Sequence, residues 1–200
     1  MTILYEVYKG LYVNITNKCD ANCVFCLRNG HEGVYGSNPL WLEREPSVEE
    51  VEKEFEKFDM DKYEEVVFCG FGEPTERLAD MAEIGRFVKE KYGKKIRVNT
   101  NGLSDLLYKR DTAPDFAGWA DSVSISLNTP NKEKYYELTR NIFGIDGFDG
   151  MLNFAKNVKK YVPDVKMTTV DTTITKEEEA QCQKICDDLG VRYRIRAFED

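Results

Sequence analysis

Residues 11–26 read Leu11-Tyr12-Val13-Asn14-Ile15-Thr16-Asn17-Lys18-Cys19-Asp20-Ala21-Asn22-Cys23-Val24-Phe25-Cys26. The first six alternate strictly, with Tyr12, Asn14 and Thr16 on one face and Leu11, Val13 and Ile15 on the other. A period of two predicts a strand over Leu11–Thr16 with one polar and one apolar side. The periodicity then stops, and residues 17–46 read as a loop that is long for a compact domain. Long loops inside compact domains are where function concentrates.

The two-faced strand recurs downstream. Strands are expected over Glu65–Cys69, Lys95–Asn99, Ser122–Leu127, Val165–Asp171 and Val191–Phe198. Arg97, Asn99 and Asn101 share a face, as do Ser122, Ser124 and Ser126; Ile96 and Val98, and Val123, Ile125 and Leu127, lie opposite. Between strands come helical stretches. Ser47 with Glu50, and Thr175 with Glu178, have capping-box spacing. Val48, Val51, Phe55 and Phe58 form one apolar stripe; Leu78, Met81, Gly85, Val88 and Tyr92 form another within a helix over 75–92. A weaker helical region spans 103–118, and further helices are expected near 131–139, 148–161 and after Thr175.

Six strand–helix units imply parallel strands joined by right-handed crossovers, with the helices outside. That is an α/β fold, a partial (βα)6 TIM-like barrel, since a full barrel takes about eight strands. If the apolar strand faces meet the helices, the inner face is polar, unlike the apolar filling of a closed barrel. The whole chain, 1–200, reads as a single core domain in which 17–46 is an extended loop.

With 42% hydrophobic and 32% charged residues the composition is that of an ordinary globular domain. A net charge of -8 disfavours non-specific binding to nucleic acid or anionic lipid. No segment approaches the roughly 18 to 20 apolar residues of a membrane span, and the amino terminus lacks a leader pattern, so a cytoplasmic protein is expected.

Three of the six cysteines, Cys19, Cys23 and Cys26, fall within the pattern C-x3-C-x2-C. Such crowding points to a metal in a reducing compartment rather than to disulfides. Three thiolates can cap three corners of a [4Fe-4S] cubane and leave the fourth iron open. Zinc would need a fourth ligand, with Cys69 or His31 available, and would make the chain a metal-stabilised interaction module. A cluster used only for electron transfer is the other alternative.

The spacing of the cysteines, with the aromatic Phe25 directly before the third, resembles the signature of the radical S-adenosylmethionine (SAM) superfamily. The turn Gly70-Phe71-Gly72-Glu73-Pro74 resembles that family's glycine-glycine-glutamate motif, with Phe71 in place of the second glycine. The resemblance implies that the open iron chelates SAM's methionine moiety. Gly70 and Gly72 would let carbonyls approach its ammonium group, and Glu73 would add a charged acceptor. Asn99, Asn101, Ser124 and Ser126, at the ends of the third and fourth expected strands, become candidates for the SAM carboxylate and ribose. The implied activity is reductive cleavage of SAM to a 5'-deoxyadenosyl radical that abstracts hydrogen from a substrate. The implied partner is a one-electron donor such as flavodoxin or ferredoxin.

Residues 26–46, including Asn38-Pro39-Leu40-Trp41-Leu42-Glu43-Arg44-Glu45-Pro46, are similar to the TatD-associated radical SAM proteins, which implies a functional link to a TatD-type hydrolase. In this reading the 27–46 loop and its Trp41 form a lid or a substrate-facing cover. Arg192, Arg194 and Arg196 share one face of the last strand; an inward Arg196 could hold a carboxylate or phosphate, or the three could guard an open sheet edge. Cys182 and Cys186, one helical turn apart, and Cys69 read as core residues. His31 reads as a loop residue near the site.

Overall fold

The structure is a computed structural model that describes residues 1–197. Its sheet has seven strands in sequential order. They are β1 (Leu4–Val7), β2 (Gly10–Val13), β3 (Glu65–Phe68), β4 (Lys95–Thr100), β5 (Ser122–Ser126), β6 (Asp164–Val170) and β7 (Arg192–Arg196). Strands β2 to β7 run parallel, and β1 pairs antiparallel with β2. The helices between them are α1 (Val48–Phe55), α2 (Leu78–Tyr92), α3 (Ser104–Tyr108), α4 (Lys132–Thr139), α5 (Asp146–Val158) and α6 (Lys176–Leu189). This is the expected partial TIM-like barrel with helices outside, and β1 and β7 do not pair, so it stays open.

The extra strand is a correction. Leu4–Val7 folds back on Gly10–Val13 through the two-residue turn Tyr8-Lys9, with Tyr8 at φ 51°. Such hairpin turns usually carry Asn-Gly or Asp-Gly, and Tyr-Lys gives no such signal. Strand β2 is shorter than expected and ends at Val13, although Asn14 N still donates to Ile3 O at 2.8 Å. The 103–118 region resolves into α3 and a single 3-10 turn at Ala113–Phe116. Phe198, at the end of the expected last strand, lies outside the described residues.

The two-faced reading of the strands holds. Leu11, Val13, Val66, Phe68, Ile96, Val98, Val123, Ile125 and Met167 are essentially sealed from solvent in the core beneath the helices. Both capping boxes form, Ser47 with Glu50 and Thr175 with Glu178. Cys182 and Cys186 are fully buried in this core, as expected. Trp119 fills the space between α2 and β3, its ring centroid 5.9 Å from that of Phe68 at 84°. Gly85 makes this possible, because a Cβ there would lie 2.3 Å from Trp119 Cε3.

On the inner side, Tyr5 and Val7 of the hairpin are covered by Leu40 and Phe71 in a second, smaller apolar cluster. Phe71, where a glycine was the usual residue, is thus a packing residue. Asn14 Nδ2 donates to Leu40 O at 2.7 Å and Asn17 Nδ2 to Leu42 O at 2.8 Å, and Leu40 and Leu42 are buried. The 40–46 part of the long loop is therefore strapped to the residues just past β2, with Arg77 Nη1 donating to both Ile15 O and Pro46 O. Trp41 rests edge-on against Phe71, with centroids 5.1 Å apart. Of the two expectations, lid or cover, this segment is held in place as a cover.

Gly85→Ala should cost about 1–3 kcal/mol through overpacking against Trp119. Urea unfolding checks it: the midpoint should fall with an unchanged slope.

Candidate functional site

The site is built where the loop leaving β2 meets the turn leaving β3. A Cβ on Gly72 would lie 2.3 Å from Thr16 O and 2.5 Å from Lys18 O, and one on Gly70 would lie 2.1 Å from Asn14 Oδ1. From sequence these glycines are expected to let carbonyls approach a ligand's amine. In the structure they let the Gly70–Pro74 turn nest directly against the cysteine loop. Glu73 N completes the contact by donating to Lys18 O at 2.8 Å.

The Glu73 side chain, 5% exposed, points inward and ties its own turn to the end of β4. Its Oε1 accepts from Thr75 N at 3.1 Å, Thr75 Oγ1 at 2.7 Å and Thr100 Oγ1 at 2.7 Å; its Oε2 accepts from Asn101 N at 2.8 Å. Burial, then the neighbouring Asp20, raises its carboxyl to about 7 against the pull of these donors.

Asp20, itself 3% exposed, accepts from Asn101 Nδ2 through Oδ1, while its Oδ2 is buried with no partner. Tyr135 of α4 is fully buried, its hydroxyl also lacks a partner, and it lies within electrostatic reach of Cys23, Asp20, Glu73 and Cys19. A buried unsatisfied polar group costs about 1–3 kcal/mol, which makes two at one place a mark of a ligand site. Sequence reading missed both. Tyr135 looked like an ordinary core position of a helix, whereas an acid set between the cysteines was a signal available for Asp20.

The cysteine loop is also held from the other side. Asn22 N donates to Thr139 O and Val24 N to Leu138 O, each at 2.9 Å, and Ile142 N donates to Asp20 O at 2.9 Å. Cys19, Cys23 and Cys26 are free thiols at intermediate exposure within this clamp. Burial, then Glu73, pushes the Cys19 thiol up to about 12; burial, then Cys26, does the same for Cys23. Arg28, which donates to Ala21 O at 3.1 Å, is the cation that opposes these shifts. Thiolates so short of positive charge suit a bound metal, which deprotonates a coordinating thiol outright. The donor set therefore fits a thiolate-held iron-sulfur group.

Among the described residues no three Cys, His, Asp or Glu side chains converge as metal ligands, so the three thiols share a loop without a closed coordination geometry. His31 is exposed, lining a surface hollow with Tyr8, Val34 and Tyr35. Cys69 is not a core residue but faces the lumen, near Asn99, Arg97 and Tyr5.

The structure brings Gly70, Gly72, Glu73 and Asn101 together around Cys19. Asn99, Ser124, Ser126 and Arg196 line the lumen instead; Asn99 and Ser124 are register partners, and Asn99 Oδ1 accepts from Arg97 Nη1 at 2.7 Å. Phe25, 40% exposed, stands at the rim beside Cys26.

A family model for the radical SAM superfamily matches residues 13–189. The chain belongs to that superfamily. Radical SAM proteins use a [4Fe-4S] cluster and SAM. A probable GTP 3',8-cyclase of Methanocaldococcus jannaschii is 28% identical over 195 residues, covering 95% of this chain and 59% of the relative. One from Saccharolobus islandicus is 28% identical over 186 residues, covering 92% of this chain and 54% of its own length. The chain thus spans little more than half of these curated relatives. In fold it resembles Streptococcus suis SuiB bound to the precursor peptide SuiA, with a TM-score of 0.71 at 18% identity, over 98% of this chain and 40% of SuiB. SuiB bound to SAM gives a TM-score of 0.70 at 18% identity, over 94% of this chain and 40% of that one.

Gly72→Ala should force the radical SAM cysteine loop off the Gly70–Pro74 turn, because its Cβ meets backbone oxygens that have no rotamer to escape by. Limited proteolysis should then cut within residues 17–46 markedly faster than in the parent chain, with helical circular dichroism retained.

Proposed function

We propose that the chain is the catalytic core of a radical SAM enzyme in which Cys19, Cys23 and Cys26 hold the [4Fe-4S] cluster. The observation that carries this reading is the clamp: three reduced thiols in one loop, pinned between the Gly70–Pro74 turn and the end of α4 beside the unpartnered Asp20 Oδ2 and Tyr135 hydroxyl. When bound, the cluster and SAM supply a 5'-deoxyadenosyl radical through one-electron reductive cleavage.

The chain's own groups do the rest. Glu73, held by Thr75, Thr100 and Asn101, keeps Asn101 and through it Asp20 in fixed orientation, forming an acidic node that would suit SAM's ammonium. The carbonyls around Gly70 and Gly72 belong to the same node. Phe25 offers an exposed ring at the rim, and Asn99, Ser124, Ser126 and Arg196 offer hydrogen bonds along the lumen. Leu40, Trp41 and Phe71 exclude water from the hairpin side.

Residues 1–200 form a single core domain in this reading, which works with an electron donor of the flavodoxin or ferredoxin type. The 26–46 segment supports placement among the TatD-associated radical SAM proteins and a functional link to a TatD-type hydrolase. No helix among the described residues is long and apolar enough to cross a membrane, which agrees with a cytoplasmic enzyme. Conversion of GTP, named for relatives that are much longer, is not carried over.

Anaerobic reconstitution with iron and sulfide, reduction, and chromatographic assay for 5'-deoxyadenosine test the proposal. Product should form from SAM and fall to background in Cys19→Ala, Cys23→Ala and Cys26→Ala. Unchanged SAM cleavage in any of the three, or a loop that takes up zinc in place of iron, would refute it.

A further inference from the structure

Tyr135 is a fully buried side chain to which the proposed chemistry gives no task. It stands on α4 one turn before Thr139 and on the same face, and Thr139 Oγ1 donates to Tyr135 O at 2.8 Å. The cysteine loop is fastened to this end of the helix at two points, Asn22 N to Thr139 O and Val24 N to Leu138 O. Asn22 and Val24 flank Cys23, so Cys23 is the ligand cysteine bracketed by bonds to α4. The Tyr135 ring is wedged against Phe148 of α5, with centroids 5.5 Å apart at 65°.

The Tyr135 hydroxyl has no hydrogen-bond partner. Burial, then Cys23, Asp20, Glu73 and Cys19, holds the phenol above its usual range, so it remains an O–H donor. A core position that needed only a ring would be served by phenylalanine, because a buried hydroxyl left unpaired costs stability. Asp20 Oδ2 is an acceptor in the same neighbourhood, yet it too is buried and unpartnered, so the two groups do not meet. Their hydrogen-bonding capacities then separate them. The sulfurs of an iron-sulfur group accept hydrogen bonds and cannot donate them. Such a group can therefore satisfy Tyr135, and it leaves Asp20 Oδ2 for a cation.

We propose that Tyr135 donates a hydrogen bond to a sulfur of the [4Fe-4S] group at Cys23 and so raises the potential at which that group accepts its electron. This rests on the radical SAM reading and adds a tuning residue to it. The incoming electron puts negative charge on sulfurs that lie beside the buried Asp20. A hydrogen-bond donor stabilises that reduced form more than the oxidised one, and hydrogen bonds to the sulfurs are among the factors that set such potentials. Removing the donor lowers the potential.

The test is electron paramagnetic resonance of the reconstituted chain at poised potentials, without SAM. It compares the parent with Tyr135→Phe and with Tyr136→Phe, since Tyr136 is 44% exposed on the same helix. The proposal expects Tyr135→Phe to load the same iron and sulfide. At the parent's midpoint its ratio of reduced to oxidised cluster should fall about tenfold, which for one electron is a midpoint about 59 mV lower. Tyr136→Phe should match the parent. In the parent grown with ring-deuterated tyrosine, the electron spin echo of the reduced cluster should carry deuterium modulation, which Tyr135→Phe should lose. The echo of the parent needs no variant to fold, and its lack of deuterium modulation overturns the proposal. A midpoint that Tyr135→Phe leaves unchanged, or that Tyr136→Phe shifts equally, overturns it as well. A parent chain that holds no [4Fe-4S] cluster removes the radical SAM reading together with this one, whereas an unmoved midpoint removes this one alone.

Discussion

Everything at the rim depends on one close approach, that of the Gly70–Pro74 turn to the backbone at Thr16 and Lys18. Because Gly72 has no Cβ, Glu73 N reaches Lys18 O and the Glu73 carboxylate drops into a buried position between β3 and β4. From there it fixes Thr100 and Asn101, and Asn101 fixes Asp20 inside the cysteine loop. A backbone contact between two loops is thereby converted into the placement of three thiols and an acidic node. A buried carboxylate with this many donors is strongly oriented, and orientation is what a site of this kind needs from its protein.

The barrel supplies the other half of the design. Its outer strand faces are packed under helices and carry the stability, which frees the inner faces for polar residues. Acid collects where β2, β3 and β4 end, around Asp20 and Glu73, and base collects on β6 and β7. Among the described residues β1 and β7 do not pair, so the barrel is open on that side.

Most of the fold was legible because its signals are local. Period-two strands, capping boxes at Ser47 and Thr175, and Gly85 on an otherwise apolar stripe each act within a few residues. The β1 hairpin was hidden because Tyr8-Lys9 makes a tight turn without the residues that favour one. The site was legible at its motifs, Cys19 to Cys26 and Gly70 to Pro74, and illegible in its connections. Nothing local says that Asn101 turns toward Asp20, that Phe71 packs with Leu40, or that Tyr135 brings an unpartnered hydroxyl from α4. Those pairings join residues far apart in sequence, and only the closing of the barrel sets them. Cys69 shows the same limit: one residue past β3, its side of the sheet was decided by register rather than by composition.

The central claim is that three protein thiols hold a cluster with one iron left for SAM. Electron paramagnetic resonance of the reduced, reconstituted chain tests it most directly. The account predicts a [4Fe-4S] signal whose g-values change on adding SAM and which is lost from the Cys19, Cys23 and Cys26 variants. A cluster signal indifferent to SAM, or one that persists without these cysteines, would contradict it.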